Sequence, residues 1–125
     1  MNLWVLGAGV LGIFTALVHV FAGQADPVRP FLNSDLDDVP KATFLACWHI
    51  VSATLIIAAG TLTYAGWFDA PVLDIAVIGI STSFIVFSAV FLGVGWFFFG
   101  HRAFFKLPQW VLLLPIGCLG MIGAT

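Results

Sequence analysis

Four long apolar runs occupy most of the sequence and restrict what this chain can fold into. They extend over about residues 3–22, 39–64, 71–99 and 107–124. A helix needs roughly 20 predominantly apolar residues to cross the hydrocarbon layer of a membrane. The runs are continuous rather than alternating, so they indicate helices and not the strands of a barrel. The sequence therefore predicts an all-α integral membrane four-helix bundle with up-down-up-down topology, forming a single transmembrane domain over residues 1–125.

The composition points to lipid as the solvent of this chain. Hydrophobic residues make up 62% of the sequence and charged residues only 8%, whereas soluble domains carry about 25% charged residues. A chain of 125 residues is too short to bury that much apolar surface in one soluble core. Lys and Arg total four, which is too few for a nucleic-acid-binding surface. The expected surroundings are a lipid bilayer, with no nucleic acid partner.

The most polar part of the chain joins the first two predicted helices. This connection, about residues 24–38, is longer than the two to eight residues common between packed helices. Pro27 and Pro30 favour an extended or turned path, so a long polar loop is predicted here. Asp37 and Asp38 come directly before the second helix, where carboxylates stabilise the positive end of the helix dipole. We favour this capping role for them over a cation site.

The first predicted helix carries a face of small residues that ends in a histidine. Ala8, Gly12 and Ala16 are spaced four apart, and His19 follows on the same face. Small residues let membrane helices approach closely and therefore mark contact with protein. The second helix has a similar spacing of small residues around His49, formed by Ala42, Ala46, Ala53 and Gly60. These faces predict that both imidazoles point into the bundle, near the same membrane face.

Two buried histidines on consecutive helices suggest a metal or haem site. Imidazole is the commonest metal ligand and a regular haem ligand, so His19 and His49 are the candidate ligands. Asp26 and His101 could complete the coordination shell, and Trp48 could separate it from lipid. Such a shell would suit zinc, copper or iron. The spacing matches no known metal motif, and an enzymatic role is conceivable only through this site, because no nucleophile–base pair is recognisable.

Two other functions are compatible with the same residues. In the first, each histidine makes an interhelical hydrogen bond, for example from His19 to Ser52, and the protein is an accessory or scaffold subunit of a larger membrane complex or homo-oligomer. The small-residue faces and the scarcity of interior charge favour this alternative. In the second, the protein is a small dimeric transporter. That alternative has the least support, because no charged residue lies near the bilayer midplane, where coupling sites usually occur.

The basic residues predict the orientation of the chain. All of them fall in the first and third connections: Arg29, Lys41, Arg102 and Lys106. The positive-inside rule places those two connections in the cytoplasm and both termini outside, as in a bacterial inner membrane protein. In the third connection, aromatic residues alternate with cations in the sequence FFFGHRAFFK, residues 97–106. This pattern is typical of a segment at the membrane–water interface.

Overall fold

The computed structural model describes all 125 residues, and the chain contains only helices and the turns that join them. The helices are α1 (Leu3–Gly23), α2 (Arg29–Leu32), α3 (Asp38–Phe68), α4 (Asp74–Phe99), α5 (Ala103–Lys106) and α6 (Trp110–Ala124). The all-helical fold with four main helices is thereby confirmed. Three helical stretches are long and apolar enough to cross a membrane: Leu3–Leu32, Asp38–Phe68 and Pro71–Lys106. The fourth main helix, α6, is apolar but has only 15 residues.

The first connection is partly helical instead of a continuous loop. The backbone leaves the helical path at Asp26, where φ is −155° and ψ is 116°, and Pro27 follows. The chain then forms the single turn of α2, which Ser34 closes by donating a hydrogen bond to the carbonyl of Phe31 (2.6 Å). Asp37 occupies the N-cap position of α3, as predicted, but its side chain makes no capping hydrogen bond.

The four main helices pack in the order α3, α1, α6, α4. Extensive contacts join α1 to α3, α1 to α6 and α4 to α6, whereas α3 and α4 hardly touch although they are consecutive in the chain. Glycines make the close contacts between α1 and α3. A Cβ on Gly12 would lie 3.1 Å from Cβ of Ala59, and a Cβ on Gly9 would lie 2.5 Å from the backbone nitrogen of Thr63. The beginning of α1 therefore lies beside the end of α3.

A continuous apolar core lies where the four main helices converge. Its largest fully buried side chains are Phe84 on α4, Leu62 on α3 and Ile116 on α6. On α1 the core residues are Val5, Ala8 and Ala16, with Ala8 fully buried. The small side chains of Ala8 and Ala16 allow α1 to pack closely between α3 and α6.

Asn2 joins three helix ends at one end of the bundle. Its backbone nitrogen donates to the carbonyl of Gly66 on α3 (2.7 Å). Its side-chain nitrogen donates to the carbonyl of Gly123 on α6 (2.7 Å), and its side-chain oxygen caps α1 by accepting from the nitrogen of Val5 (3.2 Å). Nearby, the terminal amine of Met1 lies 3.5 Å from the carboxylate of Asp69. We call this end the terminal pole and the opposite end the loop pole.

Candidate functional site at the His19–Trp48 stack and the groove between α3 and α4

His19 stacks on an indole ring of the neighbouring helix. The imidazole and the Trp48 ring have centroids 4.0 Å apart and planes inclined by 15°. The Nε2 atom of His19 lies 3.5 Å from the carbonyl oxygen of Trp48. A carbonyl can only accept, so Nε2 carries the proton in this contact. The hydroxyl of Ser52 donates to the same carbonyl at 3.0 Å, which brings His19 and Ser52 to one acceptor instead of to each other.

Local sequence explains why the indole can lie here. Gly23 is one helical turn beyond His19, and a Cβ at that position would overlap the Trp48 ring. On α3, Phe44 lies one turn before Trp48 and continues the aromatic series, with ring centroids 5.9 Å apart. Phe31 of α2 then packs on Phe44 at 4.3 Å. Four rings thus form a column from the first connection into the α1–α3 interface. The four-residue spacing of Phe44 and Trp48 was the available sequence indication of this column.

The predicted interior position of His49 is wrong, because its side chain is exposed. The residues of α3 that face α1 include Trp48, Ala59 and Gly66. His49 follows Trp48 directly, which rotates it by about 100° around the helix. The whole face that we assigned to the interior is displaced by the same step. Its small residues are exposed together with His49: Ala42, Ala46, Ala53 and Gly60.

The predicted ligand set for a metal or haem is not brought together. Asp26 and His101 are both exposed, Asp26 in the first connection and His101 beyond the end of α4. No group of three or more His, Cys, Asp or Glu side chains is placed to hold a metal ion. One face of the His19 ring is covered by Trp48, and its Nε2 faces a carbonyl. These residues do not fit the proposed coordination, and the metal and haem assignments remain sequence predictions.

An open groove separates α3 from α4. It has a volume of about 360 Å³ and lies beside the middle of α3 and the first half of α4. Leu55, Phe84 and Phe87 supply large apolar surface to its wall. The rest of the wall is formed mostly by small and hydroxyl residues: Thr54, Ala58, Ala76, Gly79 and Ser83. The hydroxyls of Thr54 and Ser83 donate to carbonyls one turn earlier in their own helices. The wall therefore presents an apolar surface without free polar groups.

A second groove of about 460 Å³ runs along the outside of the α1–α3 contact. Its lining is almost entirely apolar and includes Phe21, Ile56 and Gly60. Here the two helices are already in close contact through Gly9 and Gly12. The second groove thus runs along a closed interface, whereas the groove between α3 and α4 is a gap between two helices that hardly touch each other.

Two buried hydroxyls depart from the expected pattern for serine in membrane helices. Ser81 and Ser88 on α4 are 0% and 1% exposed, and neither hydroxyl has a hydrogen-bond partner. In contrast, Thr82 and Ser83 donate to carbonyls of their own helix, at 2.8 and 2.9 Å. Ser81 faces α6 at Gly120, where a Cβ would overlap its hydroxyl. Close packing of α4 on α6 is achieved here without satisfying the buried hydroxyls.

Comparison with known proteins provides no family model, no curated protein and no solved structure that matches this chain.

Proposed function

We propose that this protein is an integral membrane subunit that packs against a transmembrane helix of another protein chain. The groove between α3 and α4 is the surface that receives this helix. In the proposed topology the four main helices cross the membrane up-down-up-down, with α6 as the shortest span. This is the accessory or scaffold role that the sequence allows, and the residues that line the groove form its docking surface.

The observation that carries the proposal is the gap between two consecutive helices. Lipid and side chains are equally apolar, so helices in membranes associate through close packing of small residues. The other main helices meet in this way, through Gly9 and Gly12 between α1 and α3 and through Gly117 between α4 and α6. The groove between α3 and α4 is also lined by small residues, but no helix of this chain packs into it. A Cβ on Gly79 would contact nothing within 4 Å, so the space it leaves is available to a partner.

A matched pair of substitutions tests this proposal. Gly79 and Gly93 are both exposed on α4 and both leave open space, but only Gly79 lines the groove. We expect Gly79→Leu to fill the groove and dissociate the partner, and Gly93→Leu to leave it bound. The measurement is the protein mass of the complex extracted from its native membrane in mild detergent. A monomeric wild-type protein, or equal dissociation by both variants, would contradict the proposal.

We also propose the orientation in which the loop pole is cytoplasmic and the termini lie outside. Support comes from the positive-inside rule and from the basic residues, which all lie in or directly beside the connections at the loop pole. Two exposed positions test this in a chain whose free cysteines, Cys47 and Cys118, are replaced by serine. A membrane-impermeant thiol reagent should label Asp69→Cys in intact cells. It should label Asn33→Cys only after permeabilisation, and the reverse pattern would overturn this orientation.

A further inference from the structure

The segment between α4 and α6 folds into a tight elbow at the loop pole. Gly100 makes the bend possible, because its backbone has φ 57° and ψ −137°, a conformation that residues other than glycine rarely adopt. The chain then turns back, and Ala103 becomes 99% buried against α4, with its Cβ 2.9 Å from the position of a Cβ on Gly95. The elbow is therefore packed onto the bundle.

Trp110 packs on the other side of the elbow and is hydrogen-bonded to it. The indole nitrogen of Trp110 donates to the carbonyl of Phe104 at 3.1 Å, and the Phe104 ring meets the indole edge-on at 5.9 Å. With Ala103 held inward, the neighbouring residues project outward. Phe97, near the end of α4, is 84% exposed and Phe105, in α5, is 88% exposed, so two large rings are uncovered at the elbow.

The outward side of the elbow also carries unpaired positive charge. Arg102 and Lys106 are both exposed and lie four residues apart, so they project from neighbouring positions. The only ion pair in the chain joins Met1 to Asp69 at the opposite pole. No acidic residue follows Asp74 in the sequence. Two adjacent like charges repel each other unless an anion lies between them.

We propose that this elbow is a binding site for the headgroup of an anionic phospholipid in the surrounding leaflet. The anionic phosphate of the headgroup lies between Arg102 and Lys106, and the acyl chains pass the exposed rings of Phe97 and Phe105. Aromatic rings at the headgroup level and cations directed to anionic lipid are the usual arrangement at a membrane interface. The site depends on the proposed membrane location, but not on any partner in the groove between α3 and α4.

The first connection provides a matched control at the same pole. Arg29 is exposed in that connection and Lys41 is half-buried in the first turn of α3, but four acidic residues belong to the same stretch: Asp26, Asp35, Asp37 and Asp38. These carboxylates cancel the local attraction for an anionic headgroup. Substituting the two pairs of cations separately thus changes the net charge of the protein equally, but only one pair belongs to the proposed site.

The test measures lipid selectivity of the purified full-length protein by native mass spectrometry. The protein is mixed with equal amounts of phosphatidylglycerol and phosphatidylcholine, and retained lipids are counted. We expect preferential retention of phosphatidylglycerol, reduced about fivefold per removed cation, or roughly 25-fold for Arg102→Gln with Lys106→Gln. The charge-preserving pair Arg102→Lys with Lys106→Arg should retain the preference, as should Arg29→Gln with Lys41→Gln.

Three results would overturn the inference: equal retention of both lipids by the wild type, equal loss of preference in the elbow and control pairs, or loss of a bound protein instead of lipid from the elbow pair. Circular dichroism of each variant confirms that the helices remain formed. Separate recovery of the wild type in the membrane fraction tests the membrane location itself. A failed location and a failed lipid site are thereby distinguished.

Discussion

The imidazole of His19 lies nearly parallel to the indole of Trp48, with ring centroids 4.0 Å apart, and Gly23 supplies the space that the indole occupies. This relationship gives His19 a packing role at the α1–α3 interface. Aromatic pairs of this kind add about 0.5–1.5 kcal/mol beyond the apolar area they bury. The stack accounts for a histidine in an otherwise apolar helix without a bound metal ion.

We predict that His19 and Trp48 are energetically coupled. In a double-mutant cycle with His19→Leu and Trp48→Leu, the coupling energy should be about 1 kcal/mol, measured by unfolding in mixed detergent micelles. His19→Phe should keep most of this coupling energy, because a phenyl ring can stack on the indole. Phenylalanine cannot bind a metal ion, so this variant separates a packing role from a ligand role. His49 is the control, since it is exposed and should show no coupling to Trp48. Equal coupling for both histidines would refute the packing role.

The contact between α1 and α3 should be sensitive to a single methyl group. A Cβ on Gly9 would lie 2.5 Å from the Thr63 nitrogen, whereas a Cβ on Gly7 would have no neighbour within 4 Å. Backbone atoms cannot move aside as a flexible side chain can, so Gly9→Ala should lower the free energy of unfolding by about 2 kcal/mol. Gly7→Ala should be neutral or slightly stabilising through its higher helix propensity. Equal effects of the two substitutions would contradict the interface described here.

Removing the hydroxyl of Ser81 should not destabilise the protein. That hydroxyl is buried without a partner, and an unsatisfied buried polar group costs about 1–3 kcal/mol. Ser81→Ala is therefore expected to leave the free energy of unfolding unchanged or to raise it by up to about 1 kcal/mol. Ser83→Ala, at an exposed and hydrogen-bonded position, should change it little. A loss above about 1 kcal/mol for Ser81→Ala would mean that the hydroxyl makes a hydrogen bond.

Asn2 should contribute more to stability than Asn33, the other asparagine of the chain. Asn2→Ala removes the cap of α1 and the bond to Gly123, with an expected loss of about 1–2 kcal/mol. Asn2→Asp keeps a capping oxygen but loses the donor to Gly123, so an intermediate loss is expected. Asn33→Ala serves as the control, because Asn33 is exposed and its side chain makes no hydrogen bond. Thermal unfolding of the three variants would show whether this order holds.

The helices themselves could be predicted from the sequence because length and continuous apolarity are properties of single segments. The run predicted over residues 3–22 became α1, at Leu3–Gly23. The run over residues 39–64 became α3, at Asp38–Phe68, which ends four residues later at a left-handed Asp69. The last helix begins at Trp110 instead of residue 107, since Pro108 and the elbow precede it.

The direction of each helix face was harder to predict. On α1 the small-residue face was placed correctly, because Ala8, Gly12 and Ala16 are buried. On α3, small residues occur on several faces, and the contact with α1 depends on Trp48, Thr63 and Gly66. Only the position of α1 decides between these faces, and it is a tertiary property. An error of one residue was enough to expose His49.

The terminal pole shows a second limit of sequence reasoning. Asn2 directly precedes an apolar helix, so a capping role could have been inferred from its position. Its bond to Gly123 could not, because the two residues are 121 positions apart and meet only through the packing of α1 on α6. The gap between α3 and α4 is equally non-local, since two consecutive helices with a short connection are expected to pack together.

Site-specific photocrosslinking tests the central claim most directly. Thr82 and Ser83 are adjacent, exposed and bonded to their own helix, but only Ser83 lines the groove. A photoreactive benzoylphenylalanine at Ser83 should crosslink in the native membrane to a transmembrane segment of one protein chain, identified by mass spectrometry. The same group at Thr82 should give mainly lipid adducts. If position 83 gives only lipid adducts, or both positions capture the same proteins equally, the groove is not a helix-docking surface.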